Sequence, residues 1–189
     1  MYLGLKLAAV SWVSAVLLVQ SAAAQDTHFS LSSSAFADNG IMALKYAGKN
    51  PANANCIGDN VSPPLRWSNP PDGTRSYAII MHDQEGRVGL GVTHWVAYGI
   101  PSSTMALPEG AASDATDHRF INGKNSVGNS AYFGGCPPKG TGPHHYVFTI
   151  IATGLEPQSM KPDLTMQQLL EEIGKNAKAA TGLVGRFGH

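Results

Sequence analysis

HYVFTIIAT, residues 145–153, is the stretch that decides the fold. All but His145 and Ala152 are β-branched or aromatic, the types that pack best on a half-buried pleated surface. TRSYAIIM (74–81) and THWVAYGI (93–100) read the same way, the latter stopped by Pro101. Around these strands, 21 Gly and 12 Pro are scattered as turn punctuation rather than as a repeat, which favours a strand-rich domain over a helix bundle. Residues 29–54 are polar and irregular, with only weak strand signals. Residues 59–71 carry Asn60, Ser62, Pro63, Pro64, Pro70 and Pro71 around Trp67; prolines at that density preclude a helix and leave an extended, ordered loop. One helix is predicted. Thr165 and Gln168 form a capping box, and Leu169, Leu170, Ile173, Ala177 and Ala180 follow at helical spacing, with Gly182 as the stop. Residues 183–187 then form a short strand or a packed tail.

The chain has 189 residues, zero formal net charge, 43% hydrophobic and 14% charged residues. That length suits one globular domain, and the composition is too apolar for a disordered chain. Balanced charge excludes a general nucleic-acid binder, which needs surplus Lys and Arg to displace counterions. Residues 1–24 read as a signal peptide, with Lys6, an apolar run from Leu7 to Val19, and Ala22-Ala23-Ala24 as the cleavage site. The mature domain is then 25–189, with no membrane span and a periplasmic or secreted location. In such a compartment Cys56 and Cys136, the only cysteines, are expected to form a disulfide. The alternatives are a reactive thiol or a metal ligand, and neither cysteine belongs to a C-x-x-C pair.

Ionisable residues gather beside the strands in three places: His82-Asp83-Gln84-Glu85, His94-Trp95 and His144-His145-Tyr146. In extended chain, alternate side chains share a face. Asp83 can therefore point with Glu85, and His144 with Tyr146, while His82 and His145 point away. Taken singly, each of these residues has the ordinary role of a hydrogen-bonded rim residue or a solvated strand end.

Together they carry more. CIGDNVSPPLRW (56–67), PDGTRSYAIIMHDQE (71–85), HWVAYGIP (94–101) and YFGGCPPKGTGPHHYVF (132–148), with LVGRF (183–187) at the end, resemble the phosphatidylethanolamine-binding protein family, in its bacterial branch related to Raf kinase inhibitor protein. The resemblance spans nearly the whole mature chain. It implies a mainly β fold: an antiparallel β-sandwich of a large and a smaller sheet, with a few peripheral helices including one near the C-terminus. It also implies a small anion-accepting cavity near a sheet edge. The family's D-P-D-x-P, H-W and H-R-Y motifs carry over onto Asp83, Glu85, His94, His144 and Tyr146. Pro137 and Pro138 match its Pro-Pro loop, and Tyr132 matches the aromatic before that loop. No catalytic residue, cofactor or metal is assigned.

Three departures stand out. Both prolines of the acidic motif are replaced, by Gln84 and Arg87, and its second acid is the longer Glu85; this is expected to loosen the loop at the cavity mouth. The approach to His94 lacks the tryptophans common in bacterial members. His145 stands where the family has Arg, which removes a permanent cation. Histidines beside carboxylates suit a small phosphate-like anion or a phospholipid headgroup, in a pocket expected to titrate near neutrality. The second reading is a protein-interaction regulator, such as a protease inhibitor with a protein partner. An acid–base enzyme ranks third, since the sequence has no G-x-S-x-G, H-E-x-x-H or glycine-rich phosphate loop.

Overall fold

The computed structural model describes residue 1 and residues 27–113 and 119–189; the expected signal peptide, residues 1–24, lies outside them apart from Met1. Nine strands are described: β1 (Ser30–Ser32), β2 (Gly40–Ile41), β3 (Leu65–Ser68), β4 (Ser76–Asp83), β5 (Val92–Pro101), β6 (Ala106–Leu107), β7 (Ile121–Asn122), β8 (His144–Thr153) and β9 (Ala177–Phe187). They form a three-stranded sheet, β1-β3-β6, and a six-stranded sheet, β2-β9-β8-β4-β5-β7. Every pairing is antiparallel except the short β2–β9 pair.

β4 is buried along almost its whole length because both of its faces are covered. Tyr77, Ile79 and Met81 face the small sheet, meeting Leu31, Leu65 and Trp67. Ala78 and Ile80 face the other way, toward Tyr98, Met160, Leu164, Leu169 and Ile173. The second layer is completed by helix α1 (Met166–Ile173), whose buried residues are Leu169 and Ile173.

Two expectations need correction. The capping box is present, with Thr165 Oγ1 accepting from the Gln168 N–H, but α1 ends at Ile173 with Gly174 (φ 38°) as its C-cap. Residues Ala177 to Ala180 are not helical. They open β9, which pairs with β8 from Ala177↔Thr153 to Phe187↔His144. A ladder that satisfies the backbone along the whole of the neighbouring strand overrides the helix propensity of alanine. The second correction concerns the proline-dense stretch. Its middle, Leu65–Ser68, is β3, because the prolines flank rather than interrupt those four residues.

Cys56 and Cys136 are joined by a disulfide across a sequence separation of 80. The bridge ties the 132–138 loop to the segment after Tyr46. Asn60 adds two bonds to that loop, donating to the Tyr132 carbonyl at 3.0 Å and accepting from Gly134 N–H at 2.8 Å.

Candidate functional site

Register brings the ionisable residues together. Asp83 lies opposite Tyr146 in the β4–β8 ladder, and His144, two residues back along β8, shares the inward face with Tyr146 while His145 is exposed. His94 arrives by a different device. Met81 pairs with Trp95 but His82 with Thr93, so β5 carries one extra residue, His94, at a β-bulge. In a regular strand His94 would face away from Trp95. The bulge turns it to the side of Asp83 and Tyr146, a use of bulges common near binding sites. His82 keeps to the opposite face, with Nδ1 3.1 Å from Thr93 Oγ1.

His94 is fixed on both its backbone and its ring. Its carbonyl accepts from Phe133 N–H at 3.0 Å, and its Nδ1–H donates to the Phe133 carbonyl at 2.7 Å. The two rings stack, and Tyr146 meets His94 edge-on with centroids 5.2 Å apart. This leaves His94 Nε2 as an acceptor, buried and without a partner. Burial pushes His94 down to about 4 from its ordinary 6.5, against the opposing pull of the Phe133 hydrogen bond and the Asp83 charge. His94 is therefore a neutral acceptor at physiological pH, and does not supply the near-neutral titration expected from the sequence.

Asp83 organises the rest. Its Oδ1 accepts from the N–H groups of Glu85 and Gly86 at 2.9 and 3.0 Å, and its Oδ2 takes the Nδ1–H of His144 at 2.8 Å. The other ring nitrogen, His144 Nε2, is hydrogen-bonded to Thr141 Oγ1 at 3.3 Å. Gly86 must be glycine, because a Cβ there would stand 2.6 Å from Val92 Cγ2 and 3.2 Å from Asp83 Oδ2. The loop that lost its prolines is held by these bonds and by Gly91 N–H donating to the Gly86 carbonyl at 2.9 Å.

Asp83, His94, His144, Pro137 and Pro138 line one cavity of about 240 Å³. Arg87, Ser126 and Phe133, which the motif reading missed, line it too. Arg87 occupies the position of the second lost proline and returns a cation to the mouth, where its guanidinium donates to the Ser126 carbonyl at 3.2 Å. Glu85 lies outside this cavity, in an adjoining hollow of about 370 Å³ that shares Arg87, Pro138 and His144 with it. It accepts from the His145 N–H at 2.6 Å and lies 3.1 Å from the His145 ring. Burial works against ionisation of Glu85, but the hydrogen bonds from His145 prevail and hold its carboxyl below the usual range. The replacement of Arg by His145 thus leaves Glu85 paired.

Tyr146 and Tyr132 stand behind the wall. Burial, reinforced by the charges of Asp83 and Glu85, pushes the Tyr146 phenol up so that it stays un-ionised. Gly135 packs directly on that hydroxyl, leaving no room for a side chain. Tyr132 is in the core and donates to the Tyr46 carbonyl at 2.7 Å, so it anchors the loop that carries Phe133 and Pro137.

Asp83, Glu85 and His144 each offer one ligand atom within 4.8 Å of the others, a spacing compatible with a metal ion. Both carboxylates already hold a histidine, Asp83 His144 and Glu85 His145. A larger hollow of about 460 Å³ lies beside Ser32, Ser34 and Ala106, but among the described residues Arg66 is its only charged lining residue.

The family model described as phosphatidylethanolamine-binding protein matches residues 32–188. The chain belongs to this family. A UPF0098 protein of Aquifex aeolicus is 32% identical over 132 residues, covering 70% of this chain and 77% of that protein. LppC of Mycobacterium tuberculosis, named as a candidate lipoprotein, is 37% identical over 137 residues, covering 72% of this chain and 65% of its own length, just under two thirds. The crystal structure of Escherichia coli YbcL, described as a member of the mammalian family, superposes with a TM-score of 0.76 at 26% identity, covering 85% of this chain and 98% of that one. The fold and the family expected from the motifs are thus found.

Neutral His94 makes the site's first test a pH experiment on stability. The unfolded chain takes up a proton at this position as pH falls through 6.5, whereas folded His94 resists until about 4. The stabilisation is complete above the unfolded value and is lost as pH falls toward the folded one. It amounts to about 3 kcal/mol. Urea unfolding of wild type and His94→Asn, which keeps a donor toward the Phe133 carbonyl, measures it. Between neutral pH and about pH 4, wild type is expected to lose about 3 kcal/mol more than the variant. Parallel losses would show that His94 is not held neutral.

Proposed function

We propose that this is an exported binding protein for a phosphate-bearing small molecule, with a phospholipid headgroup such as phosphoethanolamine as the best fit. One observation carries the reading: the cavity is lined by both hydrogen-bond donors and acceptors. The Arg87 guanidinium, the Ser126 hydroxyl and, when its ring is an imidazolium, His144 Nε2–H can donate to phosphate oxygens. The unpartnered His94 Nε2 and the Asp83 carboxylate, which also serves His144, are acceptors, which suit an ammonium or a hydroxyl and repel a bare anion. A zwitterionic headgroup satisfies both kinds of group. Inorganic phosphate satisfies only the donors.

Export is the accompanying proposal. It rests on the leader-like residues 1–24, on the disulfide, and on the likeness to LppC, because disulfides persist in oxidising compartments.

Calorimetric titration with glycerophosphoethanolamine and with inorganic phosphate tests the pocket. The headgroup is expected to bind more tightly than phosphate. His144→Ala should weaken headgroup binding by roughly 1.5–3 kcal/mol, the range for a charged hydrogen bond, and His145→Ala should change it little. No heat at millimolar ligand, or equal binding by the His144 variant, would overturn the reading.

A further inference from the structure

Beside the cavity mouth the backbone does something costly. Arg87 and Val88 both adopt left-handed conformations, at φ 51° and 60°, which a β-branched residue rarely takes. The turn throws Val88 fully into solvent (102% exposed), with Leu90 nearly as bare at 86% and Val127, from the facing loop, at 51%. Arg87 and Pro138 line both the cavity and the adjoining hollow that Val88 also lines, and exposed Lys139 follows Pro138 in the chain. A strained turn that presents apolar side chains to water is a feature of a working surface.

We propose that this lip seats the protein on a phospholipid bilayer, with Val88 and Leu90 entering the headgroup–acyl boundary while Arg87 and Lys139 meet lipid phosphates. The inference rests on the headgroup reading above and names the source of the headgroup: a lipid within a membrane rather than a free metabolite. Charge and scale both favour that occupant. The lip pairs apolar tips with cations, the combination that binds an anionic lipid interface. Glu85, which lines the adjoining hollow, is engaged by His145. A stable protein partner needs roughly 800 Å² from each side, which a few separate tips do not supply. A bilayer needs only shallow insertion of such tips, and it would present phosphates directly at the opening between Arg87 and His144.

Flotation with vesicles of phosphatidylethanolamine and a minor share of phosphatidylglycerol tests this, alongside calorimetry with soluble glycerophosphoethanolamine. Wild type is expected to float with the vesicles. The Val88→Ser/Leu90→Ser double variant, changed only at exposed positions, should lose roughly tenfold in vesicle affinity while binding soluble headgroup as wild type does. If wild type binds the soluble headgroup but ignores vesicles, or if the double variant floats equally well, bilayer docking is wrong and the pocket reading survives. Vesicle binding that depends on Val88 and Leu90 without any soluble headgroup binding would keep the docking surface and sink the pocket reading.

Discussion

Replacing Asp83 by Ala is expected to lower the stability of the fold by roughly 3–5 kcal/mol, because three donors lose their acceptor at about 1–3 kcal/mol each. The side chain is 4% exposed and serves donors from two directions. Its Oδ1 takes the Glu85 and Gly86 N–H groups that begin the mouth turn, and its Oδ2 takes His144 Nδ1–H. Alanine leaves all of these without an acceptor in a region largely closed to water. Asp83→Asn separates charge from geometry. The amide oxygen can still accept from the turn, but its NH₂ faces a ring nitrogen that also carries a proton, so a smaller loss of about 1–2 kcal/mol is expected. Headgroup binding should weaken in both variants, because Asp83 orients His144. Urea unfolding at neutral pH gives the stabilities. A loss below about 1 kcal/mol for Asp83→Ala would mean that Asp83 is solvated and organises nothing.

Removing the disulfide has an effect of similar size by a different route. Opening a loop with a sequence separation of 80 returns chain entropy to the unfolded state worth about 4 kcal/mol, and should lower the Tm by roughly 10 °C. The Cys56→Ser/Cys136→Ser variant measures it by thermal unfolding. The consequence reaches the site, since Cys136 lines the cavity and is followed directly by Pro137 and Pro138. With the bridge gone, that wall keeps the Asn60 bonds and the Tyr132 anchor but loses its covalent tie. Headgroup affinity should therefore fall as well. Unchanged stability on loss of both sulfurs would remove the bridge from the account of the fold.

The central strands were legible because β-branched and aromatic residues dominate them. Residues 74–81, 93–100 and 145–153 correspond to β4, β5 and β8 with ends shifted by one or two residues. The helix start was legible from its capping box, where a local hydrogen-bond pattern leaves a local signature. β9 was not, since the alanines from 177 to 180 match helical spacing and only the long-range ladder with β8 makes them extended. The site divides the same way. Alternation placed His144 and Tyr146 inward and His145 outward, as found. His94 reaches the pocket through a bulge that no residue in THWVAYGI announces, because the extra residue is defined by the partner strand. Glu85 was grouped with Asp83 on strand alternation, but the strand ends at Asp83 and the chain turns, so Glu85 engages His145 beyond the cavity. Arg87 could have been found from the sequence as a cation in the mouth loop. Phe133 could have been found as the second aromatic of the Tyr132-Phe133 pair. Neither residue type is diagnostic alone.

The most direct test follows the histidine rings themselves. Glycerophosphoethanolamine is titrated into the protein while the imidazole resonances are followed by nuclear magnetic resonance. The account predicts saturable shifts at His94 and His144, which line the cavity, while His82, on the opposite face of the sheet, stays unmoved. Shifts at His82 or other distant rings with His94 and His144 silent, or no shift anywhere at millimolar ligand, would contradict it.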